Sequence, residues 1–157
     1  MQNTIILIGK YLFVVPPILA GIVAVRVDAK KRMFFVVMAA SAAVFAYLLT
    51  LLAGHLYFDV RPFVAQGFVP LIAHSADNGF PSDHSVVAFT AAFLIWPFDK
   101  YISIVAIILA LLVGSARVLA GIHHPLDVAG AIGIAAVACL AGFAIASVLT
   151  PKDSSAK

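Results

Sequence analysis

Three short clusters in this 157-residue chain carry residue types that together handle phosphate. The first is Arg61-Pro62 and the second is Pro81-Ser82-Asp83-His84. The third is Arg117, then five residues, His123, three more residues, and Asp127. The two arginines offer planar guanidinium forks that match phosphate oxygens. Pro125 suits the first position of a helix, which places His123 just before that helix and Asp127 in its first turn. From there the carboxylate can reach back to one imidazole nitrogen, fixing the tautomer and leaving the other nitrogen free to attack. Pro81, read the same way, opens a helix whose first turn is Ser82, Asp83 and His84. The unpaired amides of that turn favour an anion, and Ser82 adds a hydroxyl. His84, across the site, is placed to protonate a leaving oxygen. Phosphoryl transfer asks for positioned charge more than for elaborate covalent chemistry. This set supplies such charge with no metal or other cofactor expected.

The elements that position these clusters follow from composition. The chain is 64% hydrophobic and 11% charged, with a mean hydropathy of +1.12. A soluble domain is about 45–50% apolar and about 25% charged, so the bilayer is the solvent that fits. Five apolar stretches, at residues 5–25, 33–57, 82–96, 101–119 and 125–149, approach or exceed the roughly 20 helical residues a hydrocarbon core requires. The third is the shortest. The expectation is an all-α, polytopic membrane bundle of about five transmembrane helices, one domain over residues 1–157 with a polar tail at 151–157. Pro16-Pro17 should kink the first span. The Gly- and Ala-rich last span should pack closely on a neighbour. Residues 1–4 lack the basic start of a secretory signal, so the first span reads as retained. The lone Cys139 reads as a packing residue. No basic tract is present, so nucleic acid is not an expected partner.

With five spans, the loop at residues 58–81 and the turn at 120–124 share one face. The other face holds Arg26, Lys30, Lys31, Arg32, Lys100, Lys152 and Lys157, seven of the ten lysines and arginines. The positive-inside bias puts that face in the cytoplasm and the clusters outside. All five histidines, His55, His74, His84, His123 and His124, fall on the outer face with Asp59, Asp77, Asp83 and Asp127. Polar groups at membrane depth are costly, and their convergence there marks a site.

The clusters resemble the three motifs of the type 2 phosphatidic acid phosphatase superfamily: Lys-x6-Arg-Pro, Pro-Ser-Gly-His and Ser-Arg-x5-His-x3-Asp. The resemblance implies a phosphohistidine on His123 oriented by Asp127, and His84 as general acid. It also implies Arg61, Ser82 and Arg117 as phosphate ligands. Three positions depart from the pattern: the family lysine falls on Gly54, the serine of the third motif on Ala116, and the glycine of the second on Asp83. Pro-Ser-Asp-His, with His-x-Pro-Leu-Asp-Val at the third motif, is similar to the bacterial undecaprenyl-diphosphatase branch of the bacitracin-resistance type. That branch implies a lipid diphosphate substrate in the plasma membrane of a bacterium and a role in recycling the lipid carrier of the cell wall. Phosphatidate or phosphatidylglycerol phosphate is the alternative substrate.

Rival readings remain at this stage. His84, His123, His124 and Asp127 are acceptable zinc ligands, although a cation site does not want guanidinium neighbours. A non-enzymatic lipid-binding protein would need no nucleophile. Asp83 reads either as a partner of the helix dipole or as a substrate contact, and His124 either as a support of the site or as a helix cap. His55, His74, Asp59 and Asp77 read as solvated loop residues. The missing lysine leaves the site one cation short, and Lys10, shallow in the first span with a long stem, is the expected replacement.

Overall fold

The computed structural model describes residues 1–150, and the polar tail at 151–157 lies outside the described residues. The elements are α1 (Gln2–Tyr11), a 3-10 turn (Leu12–Val14), α2 (Val15–Arg26), α3 (Ala29–Leu56), α4 (Pro62–Gln66), α5 (Asp83–Ile95), α6 (Lys100–Leu119) and α7 (Pro125–Leu149). Four units are long and apolar enough to cross a membrane: Gln2–Arg26 taken together, Ala29–Leu56, Lys100–Leu119 and Pro125–Leu149. The fifth expected span is α5, apolar but only 13 residues long. At about 1.5 Å per residue it rises roughly 20 Å.

The kink predicted at Pro16-Pro17 takes the form of the 3-10 turn. Neither proline has an N–H to offer the carbonyl four residues back, so the chain tightens and Val15 N–H bonds to Leu12 O instead. α7 lies along α3 through small residues on both helices. A Cβ on Gly142 would stand 2.6 Å from Met38 O and 3.0 Å from Ala42 N, so any larger residue would force the backbones apart. α5 is the interior helix, with Ala88, Phe89, Ala92 and Ile95 almost wholly buried against α2, α6 and α7.

One end of the bundle carries the basic turn. Asp28 Oδ1 accepts from Lys31 N–H and Asp99 Oδ1 accepts from Ile102 N–H, so each carboxylate caps the start of its helix. The Arg32 guanidinium donates to the carbonyls of Ala24, Val25 and Val27, which α2 leaves unpaired at its end. The opposite end gathers the C-termini of α3 and α6, the N-termini of α5 and α7, and α4. Gly121, at φ +78°, makes the turn from α6 to His123 in a conformation that favours glycine.

Candidate active site

His123 and His124 lie between α6 and α7, and Pro125 occupies the first position of α7 as the sequence predicts. His124 is the N-cap residue, and Asp127 in the first turn closes a capping box with it. Asp127 Oδ2 accepts from His124 N–H at 2.8 Å and faces His123 Nδ1 at 3.1 Å. His123 Nδ1 also meets Gly79 O at 2.9 Å. Both partners of Nδ1 are acceptors, so Nδ1 carries the proton. Both neighbours of Nε2 are donors, Arg117 Nη2 at 3.2 Å and Arg61 Nη1 at 3.4 Å. The lone pair of Nε2 therefore points between two guanidinium groups. Burial, resisted by the Asp127 hydrogen bond and reinforced by Arg117 and Arg61, holds the His123 pKa below the ordinary value. The ring is neutral at pH 7, the form a nucleophile needs.

Arg61 caps α4 just before Pro62 and is buried. Its Nε donates to Asp77 Oδ1 at 2.8 Å, Nη1 to Ile122 O at 2.9 Å and Nη2 to Asn78 O at 3.0 Å. Arg117, in the last turn of α6, donates from Nη1 to Gly9 O at 3.2 Å. The first span therefore holds a site arginine by its backbone. Arg117 Nε, buried, makes no hydrogen bond among the described residues.

The helix at the second cluster starts two positions later than predicted. Pro81 is not the first helical residue: it precedes Ser82, which is the N-cap, and α5 begins at Asp83. Ser82 is extended at ψ 105° and its carbonyl accepts from Val86 N–H at 2.9 Å, as an N-cap requires. Ser82 is fully buried, accepts from Ser85 Oγ at 3.0 Å, and its N–H donates to Asp127 O at 3.2 Å. That last bond ties the start of α5 to the start of α7. His84 is half-buried, with its ring 4.2 Å from that of Phe13. The 3-10 turn in the first span thus presents Phe13 to His84. Asp83 is exposed and stands at one end of an apolar cleft.

Several supporting residues were not legible as such in the sequence. Asp77 pairs with Arg61 and accepts from Ser75 Oγ at 2.7 Å. Burial opposes its charge, but Ser75 and Arg61 outweigh that and hold the carboxyl below its ordinary range. Asn78 is a knot: Oδ1 accepts from Asp59 and Phe80 N–H, and Nδ2 donates to Gly54 O and Tyr57 O. A Cβ on Gly79 would meet Asp59 O at 3.2 Å and Asp127 Oδ2 at 3.3 Å. Asx turns and glycine approaches leave no motif at fixed spacing, which is why these residues escaped notice. Asp59, read as solvated, stands 3.0 Å from His124 Nδ1.

The expected replacement for the family lysine is not part of this cluster. Lys10 is exposed and makes no hydrogen bond or ion pair among the described residues. Its neighbour Gly9 faces the bundle, buried against Ile72 and Ala116. A step of one residue around a helix, about 100 degrees, separates the two sides. Gly54 has its own reason: a Cβ there would lie 3.2 Å from Phe80 O, so the Asn78 knot occupies the space a side chain would need. Asp59, His124 and Asp127 each offer a ligand atom within 4.8 Å of the others. Asp127 Oδ2 is already taken by His123 and His124, so a cation there would compete with the orientation of the imidazole.

Comparison with known proteins shows the family. Residues 33–150 match the PAP2 superfamily. The chain belongs to that superfamily. It is 40% identical over 100 residues to the bacitracin transport permease protein BcrC of Bacillus licheniformis, covering 63% of this chain and 49% of that protein. It is 36% identical over 105 residues to the undecaprenyl-diphosphatase BcrC of Bacillus subtilis (strain 168), covering 67% of this chain and 52% of that protein. The matches span about half the length of these PAP2 relatives. The fold is like that of Aquifex aeolicus LpxE, with a TM-score of 0.64 at 21% identity, over 90% of this chain and 93% of that one.

Proposed function

We propose that this PAP2 chain is a membrane lipid phosphatase that hydrolyses a lipid diphosphate to the lipid monophosphate through a phosphohistidine. One observation carries the reading: a neutral imidazole, locked as the Nδ1–H tautomer by Gly79 O and Asp127, directs Nε2 between Arg61 and Arg117. An incoming phosphate takes the two guanidinium groups from Nε2 and uncovers the lone pair it is to meet. Nε2 bonds to phosphorus as the bond to the leaving oxygen breaks, and His84 gives that oxygen its proton. Charge passes onto the ring, and Asp127 stabilises it. Ser82 and the N-terminal amides of α5 join the arginines around the phosphoryl oxygens. A water, losing a proton to His84, then attacks phosphorus, and the bond to Nε2 breaks. No step asks for a metal.

The substrate is a long-chain prenyl diphosphate, as the name of the Bacillus subtilis relative suggests. An apolar cleft of about 520 Å³ supports a long chain. It runs between α3 and α5 from Asp83 to Leu94, roughly 16 Å along the helix. Ala43, Ala46 and Ala91 keep it open. The site faces outward from a bacterial plasma membrane, with Arg26, Lys30, Lys31, Arg32 and Lys100 on the cytoplasmic side.

Phosphate release by pure protein in detergent, from undecaprenyl diphosphate, phosphatidate and phosphatidylglycerol phosphate, tests this. The diphosphate should be preferred, and His123→Ala should abolish release. Expression should raise bacitracin tolerance in a suitable host. Activity retained in His123→Ala would leave a lipid-binding protein, and faster phosphatidate hydrolysis would move the substrate to the glycerolipids.

A further inference from the structure

The pocket contains a histidine that the steps above leave unused. His74, in the loop between α4 and α5, presents its Nε2 to Arg117 Nη2 at 3.5 Å, and its ring lies 6.2 Å from that of His123. Its Nδ1 is 3.4 Å from Ser75 O and 4.0 Å from Asp77 Oδ1. The pattern repeats that of the nucleophile: acceptors beside Nδ1, a guanidinium donor before Nε2, and an aspartate behind. The two histidines aim their free lone pairs at the same nitrogen of Arg117.

The charges of the empty site explain what that lone pair is for. Before an anion binds, with the histidines neutral, Arg61 pairs with Asp77, Asp127 lies behind His123, and Asp83 acts on Arg117, so the two cations do not exceed the surrounding carboxylates. Arg61 is largely answered by Asp77 at 2.8 Å. The head of a lipid phosphate or diphosphate brings two or more negative charges into a site whose fixed charges leave no positive surplus. It also draws the Arg117 guanidinium to itself, which leaves the Nε2 lone pair of His74 facing phosphate oxygens. Two acceptors in contact repel, and a proton on Nε2 turns the contact into a charge-assisted hydrogen bond.

We propose that His74 is a phosphate ligand that takes up a proton when substrate binds and serves as the third cation of the site, with Asp77 as its counter-ion. This rests on the phosphatase reading above. Around His74 stand Asp77 from its own loop, Arg61 at the head of α4, Arg117 from α6, His123 from the turn before α7, and His84 from α5. Burial and then Arg61 keep the empty-site imidazole below its ordinary pKa, against the pull of Ser75 O and Asp77. A bound dianion offsets the arginines and raises it. Affinity gained in this way is present at low pH and is lost as pH rises through the pKa of the complex.

Tungstate, a phosphate mimic that stays dianionic across the neutral range, reads proton uptake without turnover. Calorimetric titration of the detergent-solubilised protein near pH 8, in two buffers of different ionisation enthalpy, should show at least one proton taken up per tungstate by wild type. His74→Gln and His74→Lys should each take up about one proton fewer per tungstate than wild type, any uptake that remains belonging to the general acid His84; His74→Gln should bind about tenfold more weakly, whereas His74→Lys should bind tightly. Kinetics on a lipid phosphate should show His74→Gln raising KM far more than it lowers kcat. Equal proton uptake in wild type and His74→Gln, or failure of wild type to bind tungstate, overturns the proposal. Tungstate binding with His74-dependent uptake but no phosphate release from any lipid would leave the ligand role standing and sink the phosphatase reading instead.

Discussion

Asp127→Asn separates orientation of the nucleophile from stabilisation of its charge. Asp127 is fully buried, and its Oδ2 receives both His123 Nδ1–H and His124 N–H, while Oδ1 has no partner among the described residues. An asparagine that puts its oxygen where Oδ2 lies keeps both hydrogen bonds, and its NH2 replaces an atom that had none. Gly79 O, at 2.9 Å from Nδ1, continues to select the tautomer. What disappears is one negative charge beside a ring that, in the proposed mechanism, becomes cationic as Nε2 bonds to phosphorus. At about 4 Å from the ring centre and an effective dielectric of about 20, that charge contributes about 4 kcal/mol. Taking the gain of a charged over a neutral hydrogen bond as the lower bound, about 2 kcal/mol, kcat should fall roughly 30- to 1,000-fold. Thermal stability should change little. Asp127→Ala, which also strands the partly buried His124 N–H and removes half of the capping box, should lose stability as well, by about 1–3 kcal/mol. The assay is steady-state phosphate release beside a melting curve for each variant. Asp127→Asn within about threefold of wild type, at an equal melting temperature, would refute the electrostatic role.

Further outcomes follow from the same geometry. If His123 acts as the neutral nucleophile, its lowered pKa means that kcat/KM should not decline as pH falls toward 6.5, and proton uptake by His74 should make it rise; a fall on acidification that begins above 7 in wild type contradicts the assignment of His123. Gly79→Ala should cost about tenfold or more in kcat, since the new Cβ presses on Asp59 O and Asp127 Oδ2 and moves the carbonyl that receives His123 Nδ1–H; unchanged kinetics would show that this carbonyl is not needed. A cysteine at Val69, 91% exposed in the loop beside the site, should react with an impermeant thiol reagent in intact cells while buried Cys139 stays unlabelled. Labelling of that cysteine only after lysis would invert the topology. Chelators should leave turnover intact and vanadate should inhibit it; loss in chelator with rescue by zinc would direct attention to Asp59, His124 and Asp127.

The parts of the site that were legible in the sequence are those joined by local rules. His123, Asp127 and Pro125 are fixed relative to one another by the geometry of a helix start, so four residues of spacing were enough to pair them. Four long apolar runs gave the crossing helices for the same reason, and Pro16-Pro17 disclosed the 3-10 turn. The start of α5 lies two residues beyond the predicted one because two capping rules competed: proline at the first helical position and serine at the N-cap. Serine prevailed, and Pro81 stayed outside the helix. His74, Asp77, Asn78 and Gly79 were out of reach because their partners, Arg117, Arg61, Gly54 and His123, are brought to them by tertiary packing alone. Lys10 shows the converse error. Position along the first span does not fix rotation about its axis, and Gly9 is the residue that turns inward.

The brevity of α5 bears on how the reaction meets the bilayer. A helix that rises roughly 20 Å inside a hydrocarbon layer of about 30 Å cannot bring both of its ends to the surface. With its far end at Ile95 level with the basic turns, its polar start, with Ser82 and His84, would lie in a well below the outer surface. Lipids on that flank either thin to meet the protein or lend it their head groups, at a cost of fractions of a kcal/mol per ångström. A substrate with a slender neck between its phosphates and a single chain can dip into such a well with little disturbance of its neighbours, whereas a two-chained glycerolipid must drag a wider stem down with it. Host-membrane thickness should thus act on turnover, with shorter-chain lipids lifting the well toward the water and longer-chain lipids burying it.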